Sequence, residues 1–152
     1  MALSANVKVR TKVQPQRLNL LVDDGAIHIY EGAILAYKSG DIGYVNLAAD
    51  ELTSEFAGIA VEEKNIAAAD NTTHGTFTIE VIPRGSGEYV ELSVRSNITV
   101  ANEGDPVYMD GDDYVDIASG IVSSVTNGLV GIIRQFISTN KAWVQLVQHP
   151  IL

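Results

Sequence analysis

The chain contains no cysteine among its 152 residues. Disulfides are excluded, and so is thiolate chemistry of every kind: zinc–sulfur sites, iron–sulfur clusters and cysteine nucleophiles. It has no apolar run approaching the roughly 20 residues that span a bilayer, so no membrane-spanning helix is expected. The opening "MALSANVKVRTKVQPQRLNL" lacks the apolar core of a secretory leader, so the expectation is a soluble protein made in the cytoplasm. Aromatic residues make up 7%, with one tryptophan, Trp143, which opens the final strand and is expected in the core or an interface. Positive charge is scarce: 10 Lys and Arg face 19 Asp and Glu. Long amphipathic helices are absent too, because no apolar pattern of helical period extends over ten residues.

The charge is unevenly placed. Up to Val22 there are four bases (Lys8, Arg10, Lys12 and Arg17) and no acids, whereas the chain from Asp23 onward carries a formal charge of −13. Such a body repels polyanions, so direct nucleic-acid binding is disfavoured. The basic segment reads either as a solvated terminus or as an arm that docks on an acidic surface of a partner or neighbouring copy. Val7, Val9 and Thr11 alternate with Lys8, Arg10 and Lys12, a strand-like pattern suited to an open sheet edge. The expected organisation is a basic arm, 1–17, followed by one domain, 18–152.

From residue 18 the chain reads as short strands spaced by turn residues. "LNLLV" (18–22) is a short buried strand and "DDG" (23–25) a turn. "AIHIYEGAILAY" (26–37) holds two strands hinged at Glu31-Gly32, and "KSGD" (38–41) turns into "IGYVNLAA" (42–49). "DELTSEF" (50–56) is either one helical turn capped by Asp50 or a loop. "AGIAVEE" (57–63) is a strand, and "KNIAAADNTTHG" (64–75) a polar connection with room for a brief helix. "TFTIEVI" (76–82) alternates as a half-buried strand, with "YVELSV" (89–94) as its expected partner across the turn "PRGSGE". "PVYM" and "DYVDI" flank Asp110-Gly111, a strong hairpin dipeptide. "ASGIVSSVTNG" (118–128) is loop-rich, and "LVGIIRQFIS" and "WVQLVQ" form a last hairpin. The fold class that follows is all-β: a small barrel or sandwich of nine to ten short strands, with little helix and an extended N-terminal arm.

The chemistry-bearing residues form no recognised motif. "GDPVYMDGDDYVDI" (104–117) concentrates Asp105, Asp110, Asp112, Asp113 and Asp116. As a calcium loop centred on Gly111 it would need acids at Pro106 and Tyr108 and a glutamate at Ile117, so that template fails, and a calcium site of another kind built from Asp110, Asp112 and Asp113 stays open as the lesser alternative to a solvated turn. As a catalytic pair, Asp112 and Asp113 point to opposite faces of a strand. The stretch therefore reads as a hairpin turning at Asp110-Gly111 with its acids in solvent. His28, His74 and His149 do not stand at ligand spacing, and no phosphate-binding or nucleophile-elbow motif occurs. No catalytic residue, metal or cofactor is expected, which favours a structural or binding role over an enzyme.

Six short motifs occur in a fixed order: "IYEGAILAY", "FAGIAVEE", "THGTFTIEVIPRG", "EGDPVYMDGDDYV", "NGLVGIIRQF" and "AWVQL". That order, over roughly residues 18 to 147, resembles the capsid cement or head-decoration proteins of tailed bacteriophages, with "GDPVY" its most specific part. The resemblance implies a compact β-barrel-like subunit, a homotrimer, on the exterior of the virion head. Its partner would be the major capsid protein, bound where capsid subunits meet and reinforced against internal pressure. In that setting Lys8, Arg10, Lys12 and Arg17 are the candidate capsid or inter-subunit contacts. A carbohydrate-binding or adhesion β-module is the alternative function, since the same fold class hosts such sites.

Overall fold

The computed structural model describes residues 3–7, 9, 16–51, 54–117 and 128–147. Among them, helix is limited to three short 3-10 turns, and the architecture is all-β. Twelve strands are present: β1 Leu18–Leu21, β2 Ile27–Ile29, β3 Ile34–Lys38, β4 Asp41–Leu47, β5 Phe56–Ala60 and β6 Lys64–Ile66 come first. β7 Thr78–Pro83, β8 Tyr89–Ser93, β9 Pro106–Met109, β10 Val115–Ile117, β11 Leu129–Ser138 and β12 Lys141–Gln145 complete them.

The strands form two five-stranded sheets, in the orders β1-β7-β5-β3-β4 and β10-β9-β11-β12-β8, and a two-stranded β2-β6 ribbon. All strand pairs are antiparallel. Both large sheets curl until their outer strands meet. Val22, just after β1, bridges Val45 of β4, and Val94, just after β8, bridges Val115 of β10. Each curl shelters strand edges that would otherwise recruit other chains.

Two apolar clusters result. The first lies between the sheets and joins Ile34, Phe56, Ile59 and Ile82 of one to Val107, Met109, Ile133 and Val144 of the other. The second, with Ile29, Leu35, Val45, Ile79 and Val81, fills the other face of the first sheet beneath the β2-β6 ribbon. β3 and β5 are therefore covered on both sides. This explains their nearly unbroken apolar runs "AILA" and "FAGIA". Burial of large side chains there, at about 1.5–3 kcal/mol each, supplies the main driving force of the fold.

Several sequence expectations are corrected. The segment 18–22 is not buried: Leu18 and Leu21 are 49% and 43% exposed, and only Val22 is enclosed. β1 is the outermost strand, paired through β7, and most of its side chains meet solvent. β7 and β8 are not partners; β7 pairs with β1 and β5, and β8 with β12. The intervening turn carries the chain from one sheet to the other. Gly85 and Gly87 both take positive φ there, and Gly87 N–H donates to the Leu146 carbonyl at 2.9 Å. Of the two alternatives for 50–56, the described residues Glu51, Ser54 and Glu55 are loop, and the one helical turn nearby is a 3-10 turn over Ala48–Asp50 with Leu47, not Asp50, at its N-cap. The stretch 64–75 contributes β6 before its own 3-10 turn, Ala68–Asp70. Most of the connection at 118–128 lies outside the described residues.

Candidate functional site

Of the four bases in the N-terminal segment, Lys8, Arg10 and Lys12 lie outside the described residues, and Arg17 is exposed immediately before β1. The described part of the arm lies against its own body, and no residue of it belongs to a strand. Its seat is the turn between β2 and β3. Val7 N–H donates to the Glu31 carbonyl at 2.8 Å, and Glu31 N–H donates to Asn6 Oδ1 at 3.0 Å. Asn6 Nδ2 also reaches Glu63 Oε2 at 2.7 Å. The Asn6 amide, with His28 second, holds the Glu63 carboxyl below the ordinary carboxylate range. Leu3 packs on the second apolar cluster and Val9 on the first. A cavity of about 230 Å³ remains between arm and body, walled by Val7, Val9, Gly32, Val90, Leu92 and Tyr114.

The aspartate-rich hairpin meets this arm. The loop between β9 and β10 runs from Asp110 to Tyr114, with Met109 opposite Val115. Gly111 takes φ +121°, whereas Asp110 stays at negative φ, so the tight two-residue turn is replaced by a five-residue loop. Two of the five acids expected in solvent are enclosed, while Asp105, Asp110 and Asp113 are half-buried. Asp112 and Asp116 are each 1% exposed. Asp112 Oδ1 accepts from Ala49 N–H at 2.7 Å, and its carboxylate also accepts from Leu3 N–H of the arm. Asp116 Oδ1 accepts from Ser96 N–H at 3.2 Å and from Ile117 N–H at 2.9 Å. Arg95 clamps Asp110 through its side chain and, at 3.0 Å, its carbonyl, while its guanidinium covers the Tyr114 ring. The physical reason is the demand of irregular backbone for acceptors: loop amides with no ladder partner recruit these carboxylates.

Burial pushes the Asp112 carboxyl above its ordinary value. Nearby Asp50 and Asp113 add to the rise, and the two backbone donors oppose it. A raised carboxyl is one mark of a site. Here Asp112 already accepts from two backbone amides. It borders a cavity of about 390 Å³ together with Asp24, Asp50, Asn46, His28 and Tyr30. The His28 and Tyr30 rings stack at 4.0 Å between centroids.

A second cluster was not legible as a motif. The turn after β1 and the loop before β7 bring Asp23, Asp24 and His74 together, with one ligand atom from each within 4.8 Å of the others. Lys38 Nζ of β3 lies 3.0 Å from Asp23 Oδ1. Burial raises the Asp23 carboxyl, but the Lys38 ammonium and the Asp24 amide outweigh it and hold the group below its ordinary value. The sequence signal, adjacent aspartates and a loop histidine some fifty residues later, is no recognised spacing. The antiparallel pairing of β1 with β7, Leu21 opposite Thr78, makes them neighbours.

No protein-family model and no curated protein matches the chain.

Proposed function

We propose that this chain is a structural virion protein, a capsid cement or decoration protein of a tailed-bacteriophage head, rather than an enzyme. The observation that carries the reading is the ordered set of six motifs. Those motifs coincide with strands and turns of the two sheets: the β2–β3 turn with β3, then β5, β7, the β9–β10 hairpin, β11 and β12. The partner is the major capsid protein, met on the capsid exterior at junctions between its subunits, and the working form is a homotrimer. The role requires no cofactor. The basic arm supplies the contact: Lys8, Arg10, Lys12 and Arg17 meet acidic groups of the capsid or of a neighbouring protomer. Rim charges alone contribute little affinity, so apolar residues beside them supply most of it. Many copies on one head make weak single contacts sufficient.

The test is co-sedimentation with undecorated heads, alongside light scattering for the oligomeric state. Full-length protein should bind and run as a trimer; protein lacking residues 2–17 should lose head binding or trimer formation. A truncated protein that still decorates heads and keeps its oligomeric state overturns the role of the arm. Full-length protein that ignores heads overturns the reading as a whole.

A carbohydrate-binding module is the second reading. It is favoured by the cavity that sets the stacked His28–Tyr30 pair beside Asn46, Asp24 and Asp50. Aromatic rings with convergent acceptors suit a polyhydroxylated ligand. A glycan array on the purified protein decides it: specific binding lost in Tyr30→Ala supports the module, and a blank array removes it.

A further inference from the structure

We propose that Asp23, Asp24 and His74 form a binding site for a divalent first-row transition ion such as Zn2+ or Mn2+. The geometry comes first. His74 Nδ1 lies 2.8 Å from Asp23 Oδ1 and 3.2 Å from Asp24 Oδ1. Ligand atoms about 2.0–2.2 Å from one ion, at angles near 90–110°, stand roughly 3–3.5 Å apart. Two of the three edges therefore already have nearly the spacing of a coordination shell. An imidazole with two carboxylates is a mixed nitrogen and oxygen set. It suits zinc or manganese better than calcium, which takes an all-oxygen shell.

The support behind the ligands is in place. The His74 ring stacks on Tyr44, with centroids 4.7 Å apart. Asp24 N–H donates to Asp23 Oδ1 at 2.8 Å. Asn71, from the same loop as His74, ties the two segments together: its Nδ2 donates to the carbonyls of Asp23 and Gly25 at 2.8 and 3.0 Å. Gly25 N–H returns a bond to the Asn71 carbonyl at 2.8 Å. Such bracing is what orients metal ligands.

The loop that carries His74 also contains an unsatisfied polar group. Asn71 is only 1% exposed, and its Oδ1 is buried without any hydrogen-bond donor. Both amide hydrogens are committed to the turn, so the amide cannot be flipped to satisfy that oxygen. The loop that carries His74 thus holds an unmet acceptor on the same side chain that grips the Asp23 and Gly25 carbonyls. Lys38 Nζ, 3.0 Å from Asp23 and 3.9 Å from Asp24, occupies part of this negative field. It is a cation on a flexible stem, and an entering metal ion would displace it toward solvent. The site sits beside the Val22–Val45 bridge that closes the first sheet, so a bound ion would staple that closure.

The experiment titrates Zn2+ and Mn2+ separately into chelator-stripped full-length protein, read by calorimetry and thermal melting, with Ca2+ as comparator. One equivalent of Zn2+ or Mn2+ should bind and raise the melting temperature. His74→Ala and Asp24→Asn should each weaken binding at least tenfold, and Lys38→Met should strengthen it. Circular dichroism establishes that each variant is folded; since Asp24 and His74 are both partly exposed, the core is untouched. Absence of Zn2+ and Mn2+ binding at millimolar concentration, tighter binding of Ca2+, or binding indifferent to both substitutions overturns the proposal. None of these outcomes bears on head binding.

Discussion

Gly32 and Val7 meet so closely that a side chain has no room between them. A Cβ on Gly32 would stand 2.7 Å from the Val7 carbonyl oxygen and 3.0 Å from the Val7 Cβ. Gly32 also holds φ at +90°, a conformation that disfavours any L side chain. One glycine thus shapes the β2–β3 turn and the seat of the arm at once.

Gly32→Ala should therefore act on the arm first. Strain at positive φ costs about 1–3 kcal/mol, and the new methyl must push Val7 away. Hydrogen exchange should show the Val7 amide, bonded to Glu31 in the native protein, losing protection. Trypsin should cut faster within the arm. Unchanged exchange at Val7 would show that the contact does not hold the arm.

Asp112 should leave a signature in the pH dependence of stability. Its folded-state value lies above the ordinary 3.8, so the folded protein binds the proton more tightly than the unfolded chain. Linkage then gives a contribution that is fully present below the ordinary value and is lost as pH rises through the raised one. At neutral pH the ionised carboxylate is at its most costly. In Asp112→Asn this dependence disappears, while an oxygen remains to accept from Ala49. The melting temperature of the native protein relative to the variant should rise as pH falls from 7 toward 4. A constant difference across that range would contradict the buried, raised carboxyl.

How far the sequence reveals this molecule depends on the range of the signal. Period-2 alternation and turn residues are local, so β3, β4 and the β11–β12 hairpin stand where the pattern puts them. Pairing is not local. "TFTIEVI" and "YVELSV" look like a hairpin, but the chain changes sheets between them, and nothing within "PRGSGE" distinguishes the two outcomes. Burial of β1 fails for a related reason: an apolar run does not say whether a second layer covers it. The same limit hid the contact of Asp23 and Asp24 with His74, and the loop amides that Asp112 and Asp116 satisfy.

Gly131 gives a test of the second sheet. A Cβ there would stand 2.1 Å from the Gln145 carbonyl oxygen and 2.9 Å from Val144 Cγ1, across the β11–β12 ladder. Backbone cannot yield as a flexible side chain would, so Gly131→Ala should separate the two strands locally. Overpacking of this kind costs about 1–3 kcal/mol. Chemical denaturation should show that loss, whereas Ile137→Ala on the exposed part of β11 should stay within about 0.5 kcal/mol of the native value. Equal effects of the two would mean the strands have more freedom than the register suggests.

Asp116 tests what the acidic hairpin is for. If its aspartates served only to keep a turn soluble, replacing any one of them would cost next to nothing. Asp116 instead lies enclosed beneath the closure of the second sheet, where Arg95 N–H donates to the Val115 carbonyl at 2.9 Å and Val94 bridges Val115. Its carboxylate meets the amides of Ser96 and Ile117 on either side of that closure. Asp116→Ala leaves both amides without their acceptor, at about 1–3 kcal/mol for each one that water cannot reach. Asp70→Ala, on an exposed 3-10 turn, removes the same charge without removing a buried acceptor. Urea denaturation of the two variants should therefore differ by at least about 1 kcal/mol, with Asp116→Ala the weaker fold. Matching curves would return the hairpin acids to the role of solubilising charge.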